Sequence, residues 1–263
     1  MRVMVDHPGW SNGRRTLVNG RTTWYANLDR KRFSIYSRTD QDDLVSPTLD
    51  THTPQTLGSQ VPAELSQTLL TYGPVHRVRT PDLWEALATA IIRQVIRAEQ
   101  ARLMCQRFCH THGQPGPYGE PAGFPQPEQV LDLSDSDFAE LGMKFKARPL
   151  RAAAKAMVEY GHKWQEMYPD TLVAEVQSVP RIGPWTAGAA IADWSGDFSL
   201  YPYGDMAVRK WASVAAPTID WPTDEPTFAA WWRSFTTSPA ELSTLTVLTL
   251  ALGGARGTEP PTT

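Results

Sequence analysis

The chain has 263 residues, 41 % of them hydrophobic, with a formal net charge of −3 and a sequence pI of about 6.1. That size supports a proper core in one large or two modest domains without covalent staples. The acidic balance excludes a surface coated with positive charge for nucleic acid, so any DNA affinity must come from a local basic face. No segment is long and apolar enough to span a bilayer. Met1-Arg2-Val3 leads into polar sequence, which predicts no signal peptide and a cytoplasmic protein without a membrane partner.

Residues 1–60 read as a β-rich N-terminal region and linker. Asn19-Gly20 between the β-formers Thr16-Leu17-Val18 and Thr22-Thr23-Trp24-Tyr25 is a hairpin signal. Arg32 to Tyr36 alternates like another strand, and Thr39 to Gln60 is polar and turn-rich, a loop or linker. From Pro81 the period becomes helical. Trp84, Leu87, Ala88, Ile91, Ile92 and Val95 form a broad apolar stripe, with Thr80 as its cap, and the helix is expected to continue through Phe108. Gly113 to Pro127 is a surface loop whose aromatic residues, Tyr118 and Phe124, either cover a pocket or simply belong to a connector. Short helices follow at Pro127–Leu133 and after the capping pair Ser134-Asp135. A longer helix spans Lys146 to Tyr160, with Leu150, Ala153, Ala154, Met157 and Tyr160 inward. Phe228–Phe235 and Leu242–Leu252 are two more helices, the last apolar all round and therefore buried. Gly253 should end it, with a disordered tail over 256–263.

Cys105 and Cys109 stand one helical turn apart near His110 and His112. Two small core residues account for them better than a metal site, and no side-chain metal ligands are assigned. Basic clusters occur at Arg93, Arg97, Arg102 and Arg107, at Lys144, Lys146, Arg148 and Arg151, and at Arg209-Lys210. Solvated helix faces are their ordinary meaning.

The densest signal is Val179-Pro180-Arg181-Ile182-Gly183-Pro184-Trp185-Thr186-Ala187, followed by Tyr201-Pro202-Tyr203-Gly204-Asp205. Thr171–Gln177 reads as a short amphipathic helix, and Pro184 suits the first position of a second one. A glycine just before a helix start leaves amides aimed outward, where the helix dipole favours a phosphate oxygen. Asp205 ends an aromatic, proline-bearing loop before another helix. It is either a helix cap or a carboxylate that supports charge developing on a sugar.

These residues resemble the helix-hairpin-helix plus Gly/Pro-Asp signature of the DNA glycosylase superfamily, the 3-methyladenine DNA glycosylase II branch above all. The resemblance covers about residues 79–215. It includes Ile91-Ile92-Arg93-Gln94-Val95, similar to the family's Ile-Leu-Gly-Gln-Gln-Val run, and Leu141-Gly142-Met143-Lys144-Phe145-Lys146-Ala147. It implies a mainly α, two-subdomain helix-hairpin-helix DNA glycosylase fold with a small β-rich N-terminal region, the glycosylase domain spanning 61–255. It implies Asp205 as the catalytic carboxylate and a base pocket of Trp185, Tyr203, Trp194 and Trp231. The DNA backbone would meet Arg181, Ile182, Gly183, Thr186 and Arg209, and Gln94 and Val95 would fill the space left by the extracted base. The partner is double-stranded DNA, bound by a nucleoid-associated monomer. No cofactor is implied beyond a structural monovalent cation at the hairpin.

Two residues depart from the pattern. Arg181 replaces the hairpin's first glycine. Trp185 stands where bifunctional members carry a lysine nucleophile, so a Schiff base is not available there and the resemblance implies a monofunctional hydrolase. The four-cysteine iron–sulfur pattern is absent near the C-terminus, which argues against the branches that carry one. Alkylated purines are the default substrate. The alternatives are bulky modified pyrimidines of viral DNA, a non-catalytic DNA-binding module, or a base-modifying transferase on the same scaffold.

Overall fold

The structure is a computed structural model that describes residues 1–19, 22–29, 32–37 and 45–257. In chain order its elements are β1 (Arg2–Met4), β2 (Arg14–Asn19), β3 (Thr22–Leu28), β4 (Phe33–Ser37), β5 (Leu49–His52), α1 (Ala63–Tyr72), β6 (Val75–Val78), α2 (Leu83–Arg93) and α3 (Ala98–His112). They continue as α4 (Pro127–Asp132), α5 (Asp135–Glu140), α6 (Lys144–Gln165), α7 (Pro169–Val176), α8 (Pro184–Ser195), α9 (Met206–Ala215), α10 (Glu225–Ser234), α11 (Pro239–Gly254) and β7 (Ala255–Gly257). The fold is mainly α, as expected. No helix among the described residues is long and apolar enough to cross a membrane.

The chain forms two compact units, and residues 1–60 are shared between them rather than forming one region. The first unit takes residues 1–6, 49–78 and the chain from 196 on. Its sheet runs β5-β6-β1-β7, with β1 parallel to β6 and antiparallel to β7. The expected linker therefore contributes a strand, and the expected tail contributes Ala255–Gly257 as another; residues 258–263 lie outside the described set. Helix α11 is apolar all round and buried at Leu242, Leu245, Val247, Leu248 and Ala251, as the sequence predicts. It does not stop at Gly253. A Cβ there would lie 2.0 Å from Cε2 of the Trp211 ring, so this glycine serves the close approach of α9 to α11.

The second unit takes residues 7–48 and 79–195. Its sheet, β2-β3-β4, holds the predicted hairpin, paired from Arg14↔Asn27 to Asn19↔Thr22; the turn at Gly20 lies outside the described residues. Around it α2 is buried on all sides from Leu83 to Ile92. Asp82, not Thr80, caps α2, accepting from the Trp84 amide at 2.9 Å. Thr80 is buried instead, its hydroxyl accepting from Arg15 at 2.9 Å. Arg15 also pairs with buried Glu85 at 3.0 Å, a tie no local pattern reveals. Phe124 is buried, edge-on to Trp84 and Phe108, and with Pro121 and Ala122 it lines a cavity that Glu85, Cys105 and Cys109 also bound, so the loop is fixed to the helices and covers part of a pocket. Cys105 and Cys109 are buried on α3, and among the described residues no group of three or more His, Cys, Asp or Glu could hold a metal ion. Helix α6 begins earlier and ends later than expected, and Tyr160, expected inward, is exposed.

Candidate active site and DNA-binding hairpin

In the second unit, α7 buries Leu172 and Val176, and the turn after it is anchored by buried Val179 and Ile182. The Ile182 amide donates to Val179 O at 3.1 Å, and Ala187 N to Gly183 O at 3.0 Å closes the first turn of α8. The amides ahead of that bond have no intrahelical partner, and Pro184 removes one by lacking its N–H. A Cβ built on Gly183 meets nothing within 4 Å. The protein's own packing therefore does not demand this glycine, whereas a phosphate resting on the helix start would. Arg181 occupies the turn at φ +70° with its side chain exposed. A glycine adopts that backbone freely, while an L side chain pays about 1–2 kcal/mol for it.

The expected single helix across Val95 is broken. Helix α2 ends at Arg93, Gln94 leaves the helical region, Val95 sits at φ +60° and α3 starts at Ala98. The end of α2 is tied to a residue 52 positions after Gln94. Nζ of buried Lys146 donates to Ile91 O at 2.7 Å and Gln94 O at 2.8 Å, taking carbonyls that a continuing helix would use. Burial pulls the Lys146 ammonium down to about 8. Positive φ at a β-branched residue is a genuine outlier that the surroundings must impose. Val95 is fully exposed at the tip of this turn. Gln94 is not: its Nε2 donates to Arg181 O at 3.2 Å and to Thr186 Oγ1 at 2.6 Å. Of the pair expected to enter DNA, only Val95 projects.

Thr186, expected at the DNA backbone, is buried and engaged by Gln94, so it supports the hairpin from within. Trp185 is half-buried on the first turn of α8, with the Arg93 guanidinium 5.7 Å from its ring centre. Arg93 also donates to buried Asp193 at 2.8 Å. Trp194 follows Trp185 by nine positions on α8, roughly 13 Å along the axis and about 180° around it. The two indoles face opposite sides, so they cannot wall one pocket together. Of the basic clusters in this unit, Arg97, Arg107, Lys144 and Arg148 are exposed, whereas Lys146 is buried and Arg151 is paired with Asp135.

In the first unit, Asp205 occupies the N-cap position of α9, with Arg209 N donating to Asp205 O at 3.1 Å. Its carboxylate makes no cap hydrogen bond. The Tyr201 hydroxyl donates to Asp205 Oδ2 at 3.3 Å, and Tyr201 is itself buried and stacked on Phe198. Tyr201 was legible only as part of the loop motif; its place four residues before the carboxylate was the available signal. Gly204 fixes the loop, since a Cβ there would lie 2.8 Å from Glu225 Cγ and 3.0 Å from Glu225 O. Tyr203 is half-buried and its amide donates to Tyr201 O at 2.7 Å. Arg209 is half-buried and donates to Thr223 O at 2.6 Å, which ties it inside its own unit. Trp231 is exposed beside Trp221 and Phe235, whereas Trp232 is core and donates to Thr246 Oγ1.

A helix start that offers amides past an unobstructed glycine has the geometry to receive a phosphate oxygen. Residues 88–236 match the model of the HhH-GPD superfamily of base excision DNA repair proteins, and the chain belongs to that superfamily.

Solved structures with the same fold include a 3-methyladenine DNA-glycosylase from Archaeoglobus fulgidus, with a TM-score of 0.69 at 17 % identity over 96 % of this chain and 97 % of that one. The 8-oxoguanine glycosylase/lyase of Clostridium acetobutylicum, in complex with double-stranded DNA containing cytosine opposite 8-oxoG, gives 0.65 at 14 % identity, covering 92 % and 86 %. The DNA-3-methyladenine glycosidase of Bacillus halodurans gives 0.54 at 17 % identity, covering 78 % and 93 %. At these identities the likeness is one of fold. No curated protein matches the chain.

Proposed function

We propose that the protein is a monofunctional DNA glycosylase that acts as a monomer on duplex DNA. It extrudes a damaged or modified base, hydrolyses its N-glycosidic bond and leaves the backbone uncut. The observation that carries this reading is the Asp205 carboxylate, which stands at a helix cap without capping and is oriented by Tyr201. A carboxylate held this way can stabilise the positive charge that builds on the sugar as the bond to the base breaks. Water then adds at C1′, giving its proton up as the base departs, so the products are a free base and an abasic sugar. Trp185 offers no amine on the first turn of α8, which removes the Schiff-base route at that position. The hairpin amides and Arg181 hold the backbone, and a monovalent cation on the turn carbonyls would assist them. Arg97, Lys144 and Arg148 supply the local positive charge that the acidic total leaves room for.

An alkylated purine is the substrate we favour, because a cationic base leaves readily and stacks on an aromatic face. One observation supports a second reading. The Arg93 guanidinium beside Trp185, its charge balanced by buried Asp193, presents N–H donors, which suit the oxygens of a neutral, bulky modified pyrimidine such as those of viral DNA. Mass spectrometry of bases released from alkylated, deaminated, hydroxymethylated and glucosylated duplexes decides between them. Release by wild type and not by Asp205→Asn is the expected result. No release from any duplex, with DNA binding intact in both proteins, would reduce the protein to a binding module or a transferase.

A further inference from the structure

The turn at 94–97 and the hairpin are separate in sequence, yet they are one hydrogen-bonded body within the second unit. Lys146 holds the carbonyls at the end of α2, and the Gln94 side chain crosses to the hairpin backbone at Arg181 and to Thr186 behind it. Both positive-φ residues of this body, Val95 and Arg181, flank that bridge. Gln94 accordingly faces inward with its amide engaged on the hairpin, while the next residue stands clear of every neighbour.

We infer that Lys146 and Gln94 are positioning residues that lock the 94–97 turn to the hairpin, so that Val95 is a prebuilt wedge aligned with the phosphate grip before DNA arrives. The inference rests on the base-extruding reading above and assigns the division of labour within it. Val95 fills the vacated space, Gln94 sets its register against the backbone held by Arg181 and Gly183, and Lys146 prevents α2 from running on and withdrawing it. An apolar wedge that is already ordered forfeits no conformational freedom on insertion, which favours the extruded state over the intrahelical one.

The test uses the full chain and the variants Gln94→Ala, Lys146→Met, Lys146→Arg and Val95→Ala. Hydrogen exchange at 94–97 and 181–183 is measured without DNA. Extrusion is then read by 2-aminopurine fluorescence in a lesion-bearing duplex, beside affinity for undamaged duplex. The expected result for Gln94→Ala is faster exchange confined to both segments and an extrusion signal at least tenfold weaker, a loss that exceeds any fall in affinity for undamaged DNA. Adding Val95→Ala to Gln94→Ala should weaken extrusion no further, because the two act as one unit. Lys146→Arg, which keeps the donors, should restore what Lys146→Met loses, and it also guards against a Lys146→Met chain that fails to fold. Unchanged exchange at 94–97 in Gln94→Ala overturns the lock whatever the activity. Strictly additive losses in the double variant overturn the shared role. Altered exchange with no extrusion by wild type on any lesion would instead overturn the base-extruding reading, and the wedge assignment with it.

Discussion

Gly183→Ala separates a phosphate-binding hairpin from an ordinary helix start. A Cβ at this position has open space within 4 Å, and Gly183 has no left-handed φ, so the substitution should leave the fold intact. It should even stabilise the free protein by about 0.4–1 kcal/mol through the unfolded chain. With DNA bound, the same methyl group competes with a phosphate oxygen. An amide hydrogen bond needs its oxygen at about 2.9 Å, while a methyl carbon keeps it near 3.5 Å. The geometry forfeits one hydrogen bond to a charged acceptor, roughly 1.5–3 kcal/mol, which is about tenfold to 150-fold in affinity. Fluorescence anisotropy with an undamaged duplex, at one fixed salt concentration, reads that loss beside a urea melt of the free protein. Equal affinity for the two proteins would refute the argument, because it would mean that no phosphate approaches the α8 start. A destabilised variant would refute the premise that nothing in the protein fills the space.

Three further outcomes follow from the same structure. Arg181→Gly relieves the φ +70° backbone and should stabilise the chain by about 1 kcal/mol, while its loss of one cation should lower the salt slope of DNA binding by about one; a destabilised variant contradicts the strain. Burial, then the nearby Glu85 charge, pushes the Asp82 carboxyl up to about 7. The folded state therefore binds more protons than the unfolded state between the ordinary carboxylate value and 7, and stability contributed by this group is lost as pH rises through 7. Asp82→Asn keeps a good cap and removes that loss, so it should gain about 1–2 kcal/mol over wild type at pH 8, discounted for the partial exposure of Asp82, and little near pH 4. Urea melts at both pH values check it, and an equal gain at both contradicts it. Gly204→Ala crowds Glu225 and shifts the loop by a few tenths of an ångström, which should lower kcat by roughly tenfold, with undamaged-DNA affinity unchanged; wild-type turnover contradicts a fixed carboxylate.

The hairpin was legible because its punctuation is local. Gly183-Pro184 starts a helix by covalent constraint, although Ile182, expected at the DNA backbone, turns inward with its amide donating to Val179 O. The β2–β3 pairing was legible for the same reason, through Asn19 and the β-formers around it. What escaped was decided at a distance. The stop at Gln94 is tied to Lys146, a residue whose position among neighbouring cations suggested a solvated or phosphate-facing role, not a buried one. The apolar stripe through Val95 continued the helical period while the carbonyls beneath it were already engaged elsewhere. Thr80 looked like a cap until Arg15, from a strand 65 residues earlier, took its hydroxyl. The strand at β5 carries Asp50, Thr51 and His52, polar enough to read as linker, and is recruited by pairing with β6. Gly253 illustrates the opposite error: a glycine near a helix end suggests a stop, yet here it admits the Trp211 ring.

The central claim is that Asp205 carries the chemistry while the hairpin carries the binding. The single-turnover rate of base release by Asp205→Asn, on whichever duplex the wild type cleaves, tests it most directly. Loss of the charge should cost about 2.7–4 kcal/mol of transition-state stabilisation, roughly a hundredfold to a thousandfold in rate. A variant that releases the base within twofold of the wild-type rate would contradict the account and leave Asp205 with no part in the chemistry.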